Sequence, residues 1–147
     1  MDIWTISKLL NWITDYLAQK KVDSPRLSAE LLLSDVLGMK RIELYMHFDK
    51  AVEQTKLDML RGLVKRAGEQ EPIGYLVGRT EFYSLEMAVC KDCLIPRPET
   101  EFLVEQVMAA CRKRSLPDGW ILDLCCGSGA IAVVLALELQ RNVVAVD

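Results

Sequence analysis

One stretch, residues 120–147, constrains the fold more than any other. It reads Trp-Ile-Leu-Asp-Leu-Cys-Cys-Gly-Ser-Gly-Ala-Ile-Ala and runs on to Val-Val-Ala-Val-Asp. Ile121, Leu122 and Leu124 are apolar without alternation, as in a parallel strand covered on both faces. Gly127 and Gly129 allow a sharp turn and a close backbone approach. Ile131, Val134, Leu135 and Leu139 follow at helical spacing. Residues 143–146 form a second apolar strand that ends on Asp147. The pattern predicts strand, glycine loop, helix and parallel strand: the opening unit of a nucleotide-type cofactor site.

The loop chemistry admits two cofactors. Gly127-x-Gly129-x-x-Ala132 matches a dinucleotide fingerprint, with an acid 18 residues after Gly129. The helix N-terminus at Ser128 and Gly129 attracts a carboxylate or a phosphate. Asp123, four residues before Gly127, favours the other cofactor, S-adenosylmethionine. A carboxylate at the mouth of the loop repels a pyrophosphate but suits an ammonium and a sulfonium. Asp147 at the end of the second strand is placed to accept hydrogen bonds from ribose hydroxyls.

Charge and composition exclude several classes. The chain has 147 residues, a net charge of −3 and 51% hydrophobic residues. Residues 1–72 carry 11 basic and 11 acidic side chains, and 73–147 carry 7 and 10. No basic run predicts direct nucleic-acid binding. No apolar run reaches membrane-spanning length. The N-terminus has Asp2 and no cationic segment, unlike a secretory signal. Five cysteines, an odd number, fit reduced thiols in a cytoplasmic protein. Cys90-x-x-Cys93 has too few companions for a metal, because His47 is the only histidine.

Residues 1–72 read as a helical bundle. Ile6, Leu9, Leu10, Ile13 and Leu17 form one stripe, with Thr5 as the cap. Pro25 starts a second helix carrying Leu27, Leu31, Val36 and Leu37, and Gly38 ends it. A short helix covers 41–47. Leu57, Leu60, Leu63, Val64 and Ala67 mark another. Tyr16, Tyr45 and His47 are the residues here suited to touch a partner. Residues 73–96 form a joiner and a β-hairpin, with strands at 80–84 and 87–90. Residues 97–147 begin the cofactor domain. Pro96 and Pro98 hold Arg97 extended. Pro98 opens a helix with Glu99 and Glu101 in its first turn and Leu103, Val104, Val107, Met108 and Cys111 on its apolar face. Residues 116–119 form a turn.

Three segments resemble the release-factor glutamine methyltransferases, the HemK/PrmC family. They are Glu-Pro-Ile-Gly-Tyr-Leu-Val-Gly at 71–78, Leu-Ile-Pro-Arg-Pro-Glu-Thr-Glu at 94–101 and the loop at 121–132. The second is the most specific. The related ribosomal-protein glutamine methyltransferases usually have Pro-Arg-Ser-Pro there and rank second. The resemblance implies an α/β protein: an N-terminal helical bundle, a β-hairpin linker and the start of a class I Rossmann-like methyltransferase domain. It implies methylation of the glutamine amide nitrogen in the Gly-Gly-Gln motif of class I peptide-chain release factors, with S-adenosylmethionine as donor. Asp123, Cys125, Cys126, Gly127, Ser128, Gly129 and Asp147 correspond to cofactor-binding positions, and Arg97 and Pro98 to possible site support. Cys125 and Cys126 depart from a family Gly-Thr. The family's Asn-Pro-Pro-Tyr motif is absent, so no catalytic residue is assigned to this chain. The expectation is an N-terminal portion of a longer protein, inactive alone. Two other classes stay open: an NAD-dependent oxidoreductase, and a binding module whose helical domain docks a partner.

Overall fold

The computed structural model describes residues 3–113 and 119–147. The turn expected at 116–119 lies outside them except for Gly119. The chain divides into two compact units, the first ending at Val77 and the second beginning at Gly78.

The first unit is helical: α1 (Ile6–Gln19), α2 (Pro25–Leu37), α3 (Arg41–Met46), α4 (Gln54–Gly68) and α5 (Ile73–Val77). Thr5 caps α1, its hydroxyl accepting the Lys8 N–H at 3.4 Å. The chain between α3 and α4 satisfies other N–H groups at that end. Ile6 donates to the Lys50 carbonyl at 3.1 Å and Ser7 to that of Phe48 at 3.0 Å. The α1 stripe is buried as its period predicts. On α2 the buried face differs from the expected one. Ala29, Leu32, Leu33 and Val36 are buried, whereas Leu27 is 40% exposed and Leu31 only half-buried. This helix packs on α1, α3, α4 and α5, so its burial follows its many neighbours rather than one stripe. The segment after Pro72 forms α5, with Ile73, Leu76 and Val77 against the same core.

A polar cluster ties three of these helices. Glu30 on α2 is buried. It accepts from Arg41 Nε at 2.9 Å and Nη2 at 2.6 Å, from Arg26 Nε at 3.3 Å and from the Tyr45 hydroxyl. Arg26 Nη1 also donates to Asn11 Oδ1 at 3.2 Å. Burial pushes the Glu30 carboxyl up, but the Tyr45 hydroxyl, Arg41 and Arg26 together hold it below the usual carboxylate range. The Tyr45 hydroxyl is therefore engaged within the bundle.

The second unit contains β1 (Arg79–Phe82), β2 (Leu85–Ala88), α6 (Glu99–Lys113), β3 (Ile121–Leu124), α7 (Ala130–Leu139) and β4 (Val143–Val146). β1 and β2 form an antiparallel hairpin, with Phe82 opposite Leu85. The first strand ends two residues earlier than expected and the second starts two residues earlier, because Tyr83 and Ser84 make the turn, with φ of 53° and 58°. Positive φ at both central residues is the hairpin geometry that matches strand twist. β3 and β4 pair in parallel, Ile121 with Val143 and Leu124 with Val146. Phe82, Met87, Val104, Met108, Ala130, Val134 and Leu135 form the core of this unit. On α6, Val104 and Met108 are buried, but Leu103 is 50% exposed and lies off the buried face. The sheet is covered on one face only: Leu122 and Leu124 are 59% and 65% exposed.

Candidate cofactor-binding loop

β3 runs directly into the loop 125–129, and the loop runs into α7. Three of its five residues adopt left-handed backbone conformations. These are Cys125 (φ 59°), Gly127 (φ 53°) and Gly129 (φ 74°). A Cβ built on Gly127 or Gly129 would meet no atom within 4 Å. The glycines are thus required by backbone angle, and the space beside them is open. At Cys125 a residue with a Cβ holds an angle that glycine holds most easily.

Hydrogen bonds fix the loop to β4. The Cys126 N–H donates to the Val146 carbonyl at 3.1 Å. The Gly127 N–H donates to Asp147 Oδ1 at 2.9 Å. The Gly129 N–H closes the turn onto the Cys126 carbonyl at 2.8 Å. Parallel pairing brings both strand ends to the same edge, so the Asp147 carboxylate reaches the loop. Sequence spacing does not reveal that bond. A carboxylate oxygen has acceptor capacity for more than one donor, and Oδ2 of Asp147 is separate from the Gly127 bond.

Asp123 lies on β3 opposite Ala145, one step before the strand's last residue. It is 9% exposed, and its Oδ2 is buried without a hydrogen-bond partner. Such a group costs on the order of 1–3 kcal/mol unless a donor reaches it. An ammonium is a donor of the right charge. The residues present therefore fit a cofactor with a cationic end and a ribose: an orphaned acid, an open glycine loop and a second acid.

Ser128 lies in the turn before α7. Arg97 and Pro98 are exposed. Their carbonyls accept from the Thr100 and Glu101 N–H groups, both at 3.0 Å, and so open α6. Sequence reasoning missed the role of Glu101. Its Oε1 accepts the Tyr83 N–H at 2.8 Å, joining the hairpin turn to the first turn of α6. The only signal was an acid after Pro98, already accounted for by the helix dipole. Among the described residues, no three His, Cys, Asp or Glu side chains cluster as metal ligands. No described helix is long and apolar enough to cross a membrane.

Residues 8–78 match the family model described as the PrmC N-terminal domain. The chain is 46% identical over 147 residues to a Release factor glutamine methyltransferase of Rhodopirellula baltica, covering 98% of this chain and 50% of that protein. The protein of the same name in Geobacter sulfurreducens is 43% identical, with coverage of 95% and 48%. That of Vibrio cholerae is 44% identical, with coverage of 97% and 49%. The chain spans about half the length of the curated relatives it matches. With a matching N-terminal domain and this identity along nearly its whole length, the chain belongs to the release factor glutamine methyltransferase (PrmC) family.

Proposed function

We propose that a protein of the relatives' full length carrying this sequence is a cytoplasmic S-adenosylmethionine-dependent methyltransferase. Its substrate is the side-chain amide nitrogen of glutamine in the Gly-Gly-Gln motif of class I peptide-chain release factors. The observation that supports this most is the loop 125–129, flanked by the buried, unpartnered Asp123 oxygen and by Asp147. It stands in a chain whose relatives carry the name Release factor glutamine methyltransferase.

When bound, S-adenosylmethionine supplies a methyl group on a positively charged sulfur. The residues of this chain bind and orient it. Asp123 receives the ammonium, the open backbone at Gly127 and Gly129 admits the methionine part, and Asp147 accepts from the ribose hydroxyls. The loop lies in the first part of the Rossmann-like domain, which begins at residue 97. A dinucleotide fits less well, because its pyrophosphate would approach the Asp123 carboxylate. An amide nitrogen is a weak nucleophile, since its lone pair is delocalised into the carbonyl. It has to be aimed at the methyl group by hydrogen bonds, a positioning effect. The Asn-Pro-Pro-Tyr motif that would do this does not occur in these 147 residues. The chain alone therefore forms part of the cofactor site and does not transfer methyl groups.

The test uses a protein of the relatives' full length, labelled S-adenosylmethionine and a class I release factor. Tandem mass spectrometry should place one methyl group on the glutamine of Gly-Gly-Gln, and a Gln→Ala release factor should take none. Label on a ribosomal protein instead would favour the sister specificity. Reduction of NAD without methyl transfer would overturn the assignment.

A further inference from the structure

Cys90 and Cys93 are left unused by the cofactor site. They lie between the hairpin and the Leu94–Glu101 segment, on one tight turn. The Cys93 N–H donates to the Cys90 carbonyl at 3.2 Å, and Cys93 Sγ lies 3.6 Å from the same oxygen. A four-residue turn brings its first and last Cα atoms within roughly 7 Å, the upper limit of what a disulfide can span. The turn is anchored on the hairpin side, where the Val89 N–H donates to the Gly78 carbonyl at 3.0 Å. Cys90 is exposed, so a small oxidant can reach its sulfur, and Cys93 is half-buried behind it. None of the five cysteines is in a disulfide. A metal is a poorer explanation, since no third ligand gathers here among the described residues.

We propose that Cys90 and Cys93 form a reversible dithiol–disulfide couple whose oxidant is a low-molecular-weight disulfide. The Cys90 thiolate attacks one sulfur of that disulfide, forming a mixed disulfide and releasing one thiolate. The Cys93 thiolate then attacks the Cys90 sulfur, closing the intramolecular bond and releasing the second thiolate. The protein loses two electrons and two protons, and one small disulfide becomes two thiols. Closure locks the turn immediately before Leu94, so the couple acts on the segment that leads into Arg97 and α6. It does not depend on the methyltransferase reading.

The sequence supplies its own assay. Lys91 lies between the two cysteines, and Pro98 protects the bond after Arg97 from trypsin, so digestion yields peptides 80–91 and 92–112. The folded chain is incubated with glutathione disulfide, and remaining thiols are blocked with N-ethylmaleimide. The chain is then denatured and digested. The two peptides should be recovered as one disulfide-linked species that dithiothreitol separates. Because Cys111 lies in the second peptide, Cys111→Ser should keep the linked species and Cys93→Ser should abolish it. In Cys93→Ser a glutathione adduct on Cys90 should accumulate instead. Any of three results would overturn the proposal: no linked peptides at excess glutathione disulfide, linked peptides that persist in Cys93→Ser, or oxidation confined to Cys125 and Cys126.

Discussion

Replacing Cys125 by glycine should stabilise the second unit, although it removes a side chain. Cys125 holds φ of 59°, and a left-handed backbone costs an ordinary L-residue about 1–2 kcal/mol. The side chain is exposed, so its loss uncovers no core. Against this, glycine gains freedom in the unfolded chain worth about 0.5–1 kcal/mol. The difference is a net stabilisation of about 0.5–1 kcal/mol, or roughly a two- to fivefold shift in the opening equilibrium. Hydrogen exchange of the Val134 and Leu135 amides in α7, measured at low urea, reads that shift. Cys126→Gly is the control. Cys126 is not in the left-handed region, so glycine there should destabilise by a similar amount. Equal effects at the two positions, or a loss of protection in Cys125→Gly, would refute the strain argument.

The Glu30 carboxyl is held below its ordinary value, so its ionised form stabilises the bundle above about pH 4.3, and that contribution is lost as the pH falls through the lowered folded value. Glu30→Gln should cost about 1–2 kcal/mol at pH 7, a figure discounted because Arg41 and Arg26 are partly exposed. Urea midpoints at pH 7 and pH 3 should show the gap between wild type and variant narrowing in acid, and an unchanged gap would remove the charge from the account. Gly129→Val puts a β-branched residue at φ of 74°, which should destabilise the start of α7 by more than about 1 kcal/mol and abolish cofactor binding in a protein of the relatives' full length. Circular dichroism and calorimetry would check the two effects, and wild-type affinity would contradict the second. In the 147-residue chain, amides of β3 and β4 should exchange faster than those of α1 and α2, because one face of that sheet is uncovered. Strong protection in a dilute monomer would count against this.

Elements with a clean period or a turn-forming residue were legible from sequence. The α1 stripe with Thr5, the Pro25 start and Gly38 end of α2, and the β3–loop–α7–β4 order all follow from local rules. The α2 face was not legible, because a helix with neighbours on several sides buries more than one stripe. The hairpin reversal was hidden because Tyr83 and Ser84 are not typical residues for positive φ. Around the candidate site, residue types and spacing foretold the turn between β3 and α7 and singled out both acids as candidates. What could not be read was tertiary: the Asp147 bond to Gly127, the orphaned Asp123 oxygen, and the Glu101 bond to Tyr83. Each depends on where a side chain lands after strands pair or helices pack.

Asp123, the loop 125–129 and Asp147 together are proposed to hold S-adenosylmethionine. Isothermal titration of S-adenosylhomocysteine into a protein of the relatives' full length tests this most directly, with NAD as the competing ligand. S-adenosylhomocysteine should bind and NAD should not. Asp147→Ala should lose about 2 kcal/mol of binding, roughly thirtyfold, as charge-assisted hydrogen bonds to the ribose disappear. Asp147→Asn, which keeps an oxygen for the Gly127 N–H, should still weaken binding because the charge and one acceptor are gone. Unchanged affinity in both variants, or heat of binding from NAD alone, would contradict the account.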